Sequence, residues 1–368
     1  MRILQVCPYA WDMPGGVQVH VRQLASQLRG TGHEVEILAP AVGHPSEEGV
    51  RIVGRARRIP YQGTVAPICF SPVSLPRIGG ALRAFRPDVV HVHEPMSPST
   101  AMFAALRSRA PVVATFHAFT ERSRLLDVAV PFLRPVWRNL AARIAVSETA
   151  AGFVSARFGD GIRVVPNGLD VDMFRGAEPA PRPPGRMLLW VGRLDRQKGF
   201  PIAVDAFAEL AQEFDDLRFV VVGDGRDRDD VRRLDPSARE RVTMVGAVPN
   251  AEVPRHYAAA DVFVAPATGQ ETFGYVLIEA MAAGVPVVAS RIPGYDEVVR
   301  HGVDGLLVRP SDAHALAGAV EQVLREPDLA DNLREAGRER ATEYSWDRVA
   351  AQLEEIYRGV AETGAPTV

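Results

Sequence analysis

The sequence predicts two α/β domains in tandem, each a doubly wound parallel sheet with helices on both faces. The chain has 368 residues, which is more than one ordinary hydrophobic core accommodates. Short apolar runs alternate with helix-length amphipathic segments, and this alternation starts again after a proline-rich stretch near the middle of the chain. Strand and helix patterns that alternate in this way are typical of parallel sheets covered by helices.

Residues 1–169 are predicted to form the first domain. Each strand is a short run rich in Val, Ile and other apolar residues, and each helix repeats apolar residues at helical spacing. The predicted strands are Arg2–Cys7, Val35–Ala39, Val89–His93, Val112–Phe116, Arg143–Val146 and Arg163–Val165. The predicted helices are Gly16–Arg29, Leu75–Phe85, Ser99–Arg107 and Ser147–Phe158.

Residues 170–185 are predicted to be a linker. Five prolines fall between positions 166 and 185. Because proline has no backbone N–H, such a stretch does not form a ladder of backbone hydrogen bonds.

The same alternation then predicts a second domain over residues 186–344, followed by an amphipathic helix within residues 345–368. The predicted strands are Met187–Val191, Leu217–Val222, Arg241–Val245, Val262–Ala265, Val287–Ala289 and Gly305–Val308. The predicted helices are Phe200–Glu213, Arg226–Leu234, Tyr275–Ala283, Ala313–Arg325 and Asp328–Tyr344. The last helix carries Val349, Leu353 and Ile356 on one face. Ligands of open α/β sheets lie outside the carboxyl ends of the strands, so the working site is expected in the cleft between the two domains.

Composition and charge exclude several classes of protein. Hydrophobic residues make up 47% of the chain and its net charge is −3, which disfavours a disordered protein and a nucleic-acid partner. Cys7 and Cys69 lie in apolar surroundings and are predicted to be reduced thiols. The first residues lack the pattern of a signal peptide, and no apolar run is long enough to span a bilayer. A cytoplasmic location, with peripheral membrane contact at most, is expected.

The first candidate site is the segment WVGRLDRQKGF, residues 190–200. Lys198 is the only lysine in the chain, and with Arg193 it follows a predicted strand and precedes a helix. An arginine provides a planar fork for phosphate oxygens, and a lysine provides a mobile point charge. The segment therefore predicts a phosphate-binding turn, the alternative being a solvated loop.

The second candidate is GQETFGYVLIEAMAAG, residues 269–284. Glu271 is predicted in a loop before a helix that begins near Tyr275, and Glu279 faces the same ligand from within that helix. The free amides of residues 273–276 would then suit a pyrophosphate. A carboxylate such as Glu279 suits ribose hydroxyls and Glu271 suits sugar hydroxyls. The alternative is two solvated glutamates on an amphipathic helix.

Glycines and histidines mark further strand ends. The pair Gly15 and Gly16 opens a helix after the first strand and allows close approach of a ligand to the backbone. The segment VGDGRD, residues 222–227, is interpreted as a tight turn rather than a dinucleotide fingerprint. His91 and His93 share one face of a strand, and His117 ends the next strand. With no third partner for His91 and His93 recognised in the sequence, no metal site is predicted.

Taken in order, these motifs resemble the retaining family-four glycosyltransferases of the GT-B fold. The resemblance covers nearly the whole chain and implies two Rossmann-like domains that face each other across a cleft, with a C-terminal helix that crosses back to the first domain. The segments CPYAWDMPGGVQ, HVHEP, VVATFH, RIAVS, PNGLDV and FGYVLIEAMAAG are most similar to those of actinobacterial phosphatidylinositol mannosyltransferases.

The resemblance also implies roles for single residues. Arg193 and Lys198 would neutralise the diphosphate leaving group in place of a divalent metal, and Glu279 would hold the donor ribose. The implied catalytic residues are His117, Arg193, Lys198 and Glu271. The implied donor-binding residues are Gly16, Arg193, Lys198, Glu271, Thr272, Phe273, Gly274, Val276 and Glu279. The implied acceptor-binding residues are Tyr9, Asp12, Gly15 and His117.

The implied activity is retaining transfer of a hexose, mannose from GDP-mannose, to phosphatidylinositol or a related lipid, without a metal or other cofactor. One alternative is a family-four transferase that uses a UDP-sugar and a soluble acceptor. A GT-B-like epimerase fits the motifs less well. An alternative of another class is a non-catalytic nucleotide-sugar-binding protein.

The chain departs from the resemblance in its basic residues. A basic residue for the inositol phosphate is expected within Ala66–Phe70, where this chain reads APICF. The helix expected to face the membrane offers only Arg77, Arg83 and Arg86, beside the apolar stretch LLDVAVPFLRPVW. Near the expected guanine site, VPNAEVPRH lacks the acidic and lysine residues of the family. The candidates for compensation are Arg55, Arg57 and Arg58.

Overall fold

The computed structural model of the protein describes residues 1–13, 15–61, 64–71, 74–118, 124–269 and 271–363. The chain divides into two compact units. The first consists of Met1–Gly168 and Trp346–Val368, and the second of Leu169–Ser345.

The first unit contains a seven-stranded parallel sheet with the strand order β3-β2-β1-β6-β7-β8-β9 and a separate antiparallel hairpin, β4-β5. The strands are β1 (Arg2–Val6), β2 (Glu34–Ala41), β3 (Val50–Arg55), β4 (Arg57–Tyr61), β5 (Thr64–Ile68), β6 (Val89–His93), β7 (Val112–Phe116), β8 (Leu140–Ala145) and β9 (Arg163–Val164). The helices are α1 (Gly16–Gly30), α2 (Ser74–Phe85), α3 (Thr100–Arg107), α4 (Arg124–Arg138), α5 (Glu148–Phe158) and, after the second unit, α14 (Trp346–Thr363).

The central strands of this sheet are buried throughout. Every residue of β6 and β7 is buried, as expected for parallel strands that are covered by helices on both faces. In α14, Val349, Leu353 and Ile356 are buried in the core of the first unit, which explains their spacing along one helix face. Cys7 and Cys69 are both buried and free of a disulfide bond.

The second unit contains a six-stranded parallel sheet with the order β12-β11-β10-β13-β14-β15. The strands are β10 (Met187–Val191), β11 (Arg218–Val222), β12 (Val242–Gly246), β13 (Val262–Ala265), β14 (Val287–Ser290) and β15 (Leu306–Val308). The helices are α6 (Val171–Arg175), α7 (Phe200–Glu213), α8 (Pro236–Arg239), α9 (Val253–Ala258), α10 (Tyr275–Ala283), α11 (Pro293–Asp296), α12 (Ala313–Arg325) and α13 (Pro327–Thr342).

In each sheet the strand order reverses at the strand that comes first in the chain, β1 in the first unit and β10 in the second. In the second unit, β10 pairs with β11 on one side and with β13 on the other. In the first unit, β1 pairs in the same way with β2 and β6. Such a switch point leaves a crevice at the carboxyl ends of the two strands, where open α/β sheets bind their ligands. The prediction of two doubly wound parallel sheets is therefore confirmed.

Several elements differ from their sequence predictions. The segment expected as the helix Arg226–Leu234 is a 3-10 helix over Arg228–Arg233, in which charged residues predominate and no residue is buried. The hairpin, β3, α4 and the short helices α6, α8, α9 and α11 were not predicted. The helix α4 contains Pro131 and Pro135 in its interior, where local preference disfavours proline.

The proline-rich segment 170–185 belongs to the second unit. It contains α6, and the backbone N–H of Ala180 donates to the carbonyl of Arg255 over 2.9 Å. The Arg182 guanidinium donates to the Asp261 carboxylate over 2.8 Å. Among the described residues, no helix is both long and apolar enough to cross a membrane.

Candidate functional site

Loops at the switch point of the second sheet carry the predicted cations. The loop after β10 contains Lys198 and ends at Gly199, which directly precedes α7 and has a φ of 81°. A Cβ at Gly199 would lie 1.8 Å from the carbonyl oxygen of Pro266, so only glycine lets this loop pack against the one after β13. The N–H of Thr268 joins the same two loops by donating to the Gln197 carbonyl over 2.9 Å.

Lys198 and Glu271 form an ion pair across these loops. Lys198 Nζ lies 2.6 Å from Glu271 Oε1, and the two side chains are 28% and 11% exposed. The other predicted cation, Arg193, is about half exposed and lies 3.3 Å from the Asp195 carboxylate, which also accepts the backbone N–H of Lys198 over 2.8 Å. Asp195 thus orders the loop that presents both cations, a role that the motif alone did not indicate.

Glu279 lies within α10, where Tyr257 donates a hydrogen bond of 3.0 Å to Oε2 of its carboxylate. Burial raises the pKa of Glu279 to about 7, although the Tyr257 hydrogen bond and the charge of Lys198 act in the opposite direction. Glu279 therefore changes its charge near neutral pH and is sensitive to nearby charge.

The amino end of α10 suits an anion. Gly274 precedes the helix with φ of 86°, and no side chain caps its first amides. Free N–H groups and the helix dipole both favour negative charge at such an end. Val276 lies in the first turn, and the buried ring of Phe273 packs edge to face against Tyr344.

Glycines also support the backbone beneath the site. A Cβ at Gly294 would lie 2.2 Å from the Glu271 carbonyl oxygen and 2.8 Å from the Thr272 carbonyl carbon. A Cβ at Gly225 would lie 2.3 Å from the carbonyl oxygen of Leu194. The glycines of VGDGRD therefore form the predicted tight turn, which here packs against the loop that carries Lys198.

The loop after β1 carries three of the four predicted acceptor residues, Tyr9, Asp12 and Gly15. Gly15 precedes Gly16, the first residue of α1, and no side chain caps that helix. The buried Gln18 side chain holds the loop by donating to the carbonyls of Ala10 and Met13 over 3.1 and 3.2 Å. Gln18 was not singled out in the sequence, because an amide inside a helix has no distinctive pattern.

The other two predicted acceptor residues make structural contacts. Both carboxylate oxygens of Asp12 accept backbone N–H groups, from Val42 over 2.8 Å and from Gly43 over 2.6 Å. Desolvation alone would raise the pKa of Asp12, but these hydrogen bonds hold it below its ordinary value. Tyr9 forms an antiparallel bridge with Ile68 at the end of β5, so this loop is joined to the hairpin.

His117 belongs to a buried group of histidines. Its Nε2 lies 2.9 Å from Nδ1 of His93, whose Nε2 lies 3.0 Å from Oε1 of Gln5. With that amide oxygen accepting, His93 donates from Nε2, and its Nδ1 accepts the proton of His117. Burial lowers the pKa of His117 to about 3, while a hydrogen bond with Asn167 acts in the opposite direction. His117 is therefore neutral at pH 7.

The structure adds a histidine that the sequence did not connect with this group. His20, on α1, has its ring centroid 4.9 Å from that of His117, and the nitrogens of His20, His93 and His117 lie within 4.8 Å of one another. The sequence did not show that His20 and His117 both lie beside His93. The contact between His93 and His117 is nevertheless accounted for by a hydrogen bond.

Two further residues of the segment HVHEP, His91 and Glu94, have structural roles. His91 contacts Tyr357 Oη over 2.6 Å and Thr115 Oγ1 over 2.7 Å. Glu94 accepts the backbone N–H groups of His117 and Ala118, which joins the ends of β6 and β7. Within the segment HVHEP, His93 and Glu94 therefore hold His117 in place, through its ring and its backbone respectively.

Comparison with known proteins agrees with both halves of the structure. Residues 14–173 match the model of the Glycosyltransferase Family 4, and residues 177–340 match that of the Glycosyl transferases group 1. The phosphatidyl-myo-inositol mannosyltransferase of Mycobacterium leprae is 40% identical over 99% of this chain and 98% of its own. A glycogen synthase of Mycobacterium tuberculosis is 32% identical over 97% of this chain and 94% of its own.

A solved glycosyltransferase structure from Rickettsia africae shares the fold, with a TM-score of 0.80, 20% identity and coverage of 98% of this chain and 99% of its own. The order of motifs, the two switch-point sites and the full-length similarity lead to one conclusion: the chain belongs to the family-four glycosyltransferases of GT-B fold, the family that includes the phosphatidyl-myo-inositol mannosyltransferases.

Proposed function

We propose that this glycosyltransferase transfers mannose from GDP-mannose to phosphatidylinositol with retention of configuration at the anomeric carbon. The observation that carries the proposal is the grouping of Lys198, Glu271 and Glu279 at the switch point of the second sheet. The acceptor class rests on the relatives that are 40% identical over nearly the whole chain. The second unit binds the donor and the first unit binds the acceptor.

The proposed reaction breaks the bond between the anomeric carbon and the leaving phosphate oxygen. Negative charge grows on that phosphate, where Lys198 and Arg193 stabilise it more strongly in the transition state than in the ground state. The acceptor hydroxyl attacks from the same face of the sugar and passes its proton to the leaving oxygen, so that GDP is released. His117, being neutral, hydrogen-bonds to the transferred sugar and does not carry a charge.

The remaining donor contacts follow from the chemistry of each group. Glu279 accepts hydrogen bonds from the ribose hydroxyls, and the first amides of α10 bind the diphosphate. Glu271 and the backbone at Phe273 and Gly274 hold the sugar. Two side-chain cations and a helix amino end supply the positive charge that a divalent metal provides elsewhere, so the reaction is proposed to be metal-independent.

Initial-rate assays test the donor and the acceptor together. Purified protein is incubated with GDP-mannose, UDP-glucose or UDP-N-acetylglucosamine, and with phosphatidylinositol or a soluble sugar phosphate. We expect an α-mannosylated lipid from GDP-mannose alone. Transfer from a UDP-sugar to the soluble acceptor would instead support the second candidate, a family-four transferase with a soluble acceptor. Donor binding without turnover on any acceptor would identify a non-catalytic binding protein.

A lipid acceptor requires contact with a membrane surface, and we propose a peripheral one on the inner face of the plasma membrane. Arg77 and Arg83 on α2 are exposed, and on α4 Val128 and Phe132 are 72% and 81% exposed. Basic residues near an anionic surface contribute about 1 kcal/mol each. We therefore expect co-sedimentation with anionic liposomes at low salt that weakens near physiological ionic strength. An absence of low-salt binding would contradict the proposed contact.

A further inference from the structure

Three histidines from three different elements come together in the first unit. His20 lies on α1, His93 ends β6 and His117 directly follows β7. One nitrogen of each ring lies within 4.8 Å of the chosen nitrogens of the other two. No other group of His, Cys, Asp and Glu side chains in the described part of the chain meets as closely. Histidine is the most common metal ligand in proteins, so this group is a candidate metal site.

The spacing of the three rings suits a zinc ion. Tetrahedral zinc with Zn–N bonds of about 2.0 to 2.1 Å places two ligand nitrogens about 3.3 Å apart. Nδ1 of His93 and Nε2 of His117 are 2.9 Å apart, and the nitrogen of His20 lies within 4.8 Å of both neighbours. These separations lie on either side of the value that zinc requires.

The protonation of the rings also suits a metal, which binds neutral imidazole. Burial lowers the pKa of His20, His93 and His117 below its ordinary value, so each ring has one nitrogen without a proton at pH 7. His93 donates from Nε2 to Gln5 Oε1 over 3.0 Å, which leaves Nδ1 facing His117 without a proton. Metal-binding histidines usually make such a hydrogen bond from their outer nitrogen.

A buried amide oxygen favours binding through His117. Where His117 donates from Nε2 to His93, its Nδ1 carries no proton. Oδ1 of Asn167 is buried and has no hydrogen-bond partner among the described residues. The hydrogen bond that Asn167 offers raises the pKa of His117, so it needs a proton on that ring. A metal on Nε2 leaves the proton of neutral His117 on Nδ1, where the Asn167 oxygen can accept it.

The chemistry of the group selects among metals. His20 and His93 are buried, but His117 is partly exposed, so an ion reaches the group from the side of His117. Three histidines leave the fourth tetrahedral position open, as in zinc sites with three histidine ligands. Imidazole suits Zn²⁺, Cu²⁺ and Ni²⁺, whereas Mg²⁺ and Mn²⁺ prefer oxygen ligands. The group therefore favours zinc over magnesium and manganese.

We propose that His20, His93 and His117 form a zinc-binding site whose occupation inhibits the enzyme. A zinc ion holds the ring of His117, and the ion with its fourth ligand fills space beside the sugar that His117 contacts. The ion is an inhibitor and not a cofactor, so the reaction stays metal-independent. The inhibition rests on the proposed function, whereas the binding of zinc does not.

Metal binding is measured directly, on protein that carries no purification tag. Zn²⁺ is titrated calorimetrically, and Co²⁺ is a spectroscopic probe because four-coordinate Co²⁺ absorbs visible light far more strongly than the hydrated ion. His20→Phe and His117→Ala each remove one ligand, and His20→Phe keeps a ring beside Trp346. The control is His314→Ala, which removes an exposed histidine that contacts Glu209 over 2.8 Å. Thermal unfolding confirms that the variants are folded.

We expect one tightly bound ion per wild-type chain and visible absorption typical of four-coordinate Co²⁺. Loss of a ligand should weaken binding by at least about 100-fold in His20→Phe and in His117→Ala, while His314→Ala should bind like the wild type. Because His117 is partly exposed, its variant tests the site even if His20→Phe does not fold. Absence of binding to the wild type, unchanged affinity in a folded ligand variant, or an equal loss in His314→Ala would overturn the proposal.

Initial rates of sugar transfer test the inhibition separately. Saturating Zn²⁺ should lower the wild-type rate by at least about tenfold, as for one lost hydrogen bond to the transition state, and EDTA should restore it. The same Zn²⁺ concentration should not change the rate of His20→Phe relative to its own zinc-free rate. An unchanged wild-type rate at full occupancy would overturn the inhibitory role. If the zinc-free wild type transfers no sugar, the proposed function fails, and the calorimetric and Co²⁺ measurements still decide the metal site.

Discussion

Replacing Lys198 with alanine tests the proposed role of the switch-point cations most directly. In the structure Lys198 Nζ lies 2.6 Å from Glu271 Oε1, and the two side chains are only 28% and 11% exposed. The variant removes a preorganised charge from the leaving phosphate, which costs about 2 to 4 kcal/mol in kcat/KM, or about 30- to 900-fold. Lys198→Arg should recover only part of this loss, because a guanidinium fork does not occupy the place of an ammonium group.

The ion pair allows a second explanation, in which Lys198 acts only by holding Glu271. GDP lacks the sugar, so its dissociation constant distinguishes a direct contact of Lys198 with the diphosphate from an indirect role through Glu271. If Lys198 contacts the diphosphate, Lys198→Ala weakens GDP binding by about 1.5 to 3 kcal/mol, or about 10- to 160-fold. Glu271→Gln, which removes the proposed sugar contact, should leave GDP affinity unchanged. Isothermal titration supplies both constants, and thermal unfolding confirms that the variants are folded. Wild-type GDP affinity in Lys198→Ala would refute the phosphate contact.

Three further predictions concern pH, metal ions and the backbone, and a fourth concerns the histidines. Because the pKa of Glu279 is raised to about 7, its carboxylate is protonated below that pH. GDP affinity should then fall up to about tenfold from pH 8 to pH 6, and titration of Glu279→Gln should show that this part of the pH dependence is lost. Activity should survive excess EDTA, whereas loss on chelation that Mg²⁺ or Mn²⁺ restores would contradict metal independence. Gly199→Ala, with φ of 81° and a Cβ 1.8 Å from the Pro266 oxygen, should lower the free energy of unfolding by at least about 2 kcal/mol, measured by urea denaturation. Tyr357→Phe leaves Nδ1 of the buried His91 without its partner and should cost about 1 to 3 kcal/mol in the same assay, so an unchanged midpoint would show that this contact contributes nothing to stability.

The two-sheet architecture could be predicted from the sequence because buried parallel strands are nearly continuous apolar runs. Segments such as Val89–His93 and Val112–Phe116 are bounded as predicted, since such runs have few alternative interpretations. The helix Arg124–Arg138 was missed because Pro131 and Pro135 contradict local helix preference. The hairpin was missed because its short strands lie outside the two sheets and have no long apolar run.

The candidate site could be predicted only in part from the sequence, for a different reason. Each motif identifies a strand end, so Lys198, Glu271 and His117 could be recognised from their own segments. Which groups pair is decided by contacts distant in sequence. The hydrogen bond from His93 to Gln5 joins residues 88 positions apart, and His20 reaches its neighbours only because α1 packs on the sheet. Nothing within one segment indicates such partners.

The discontinuity of the first unit has a consequence for the order in which the protein is synthesised. The second unit is a continuous insertion from Leu169 to Ser345, and its two ends meet where the N–H of Leu169 donates to the Tyr344 carbonyl over 2.7 Å. The ribosome therefore releases every residue of the second unit before Tyr357, which contacts the buried His91, leaves the exit tunnel. During translation, the apolar surface of the first unit that α14 later covers stays exposed until α14 has emerged. A nascent chain that has not yet released α14 therefore has a first unit that still lacks part of its core, and such transiently exposed apolar surface is the kind that requires chaperones.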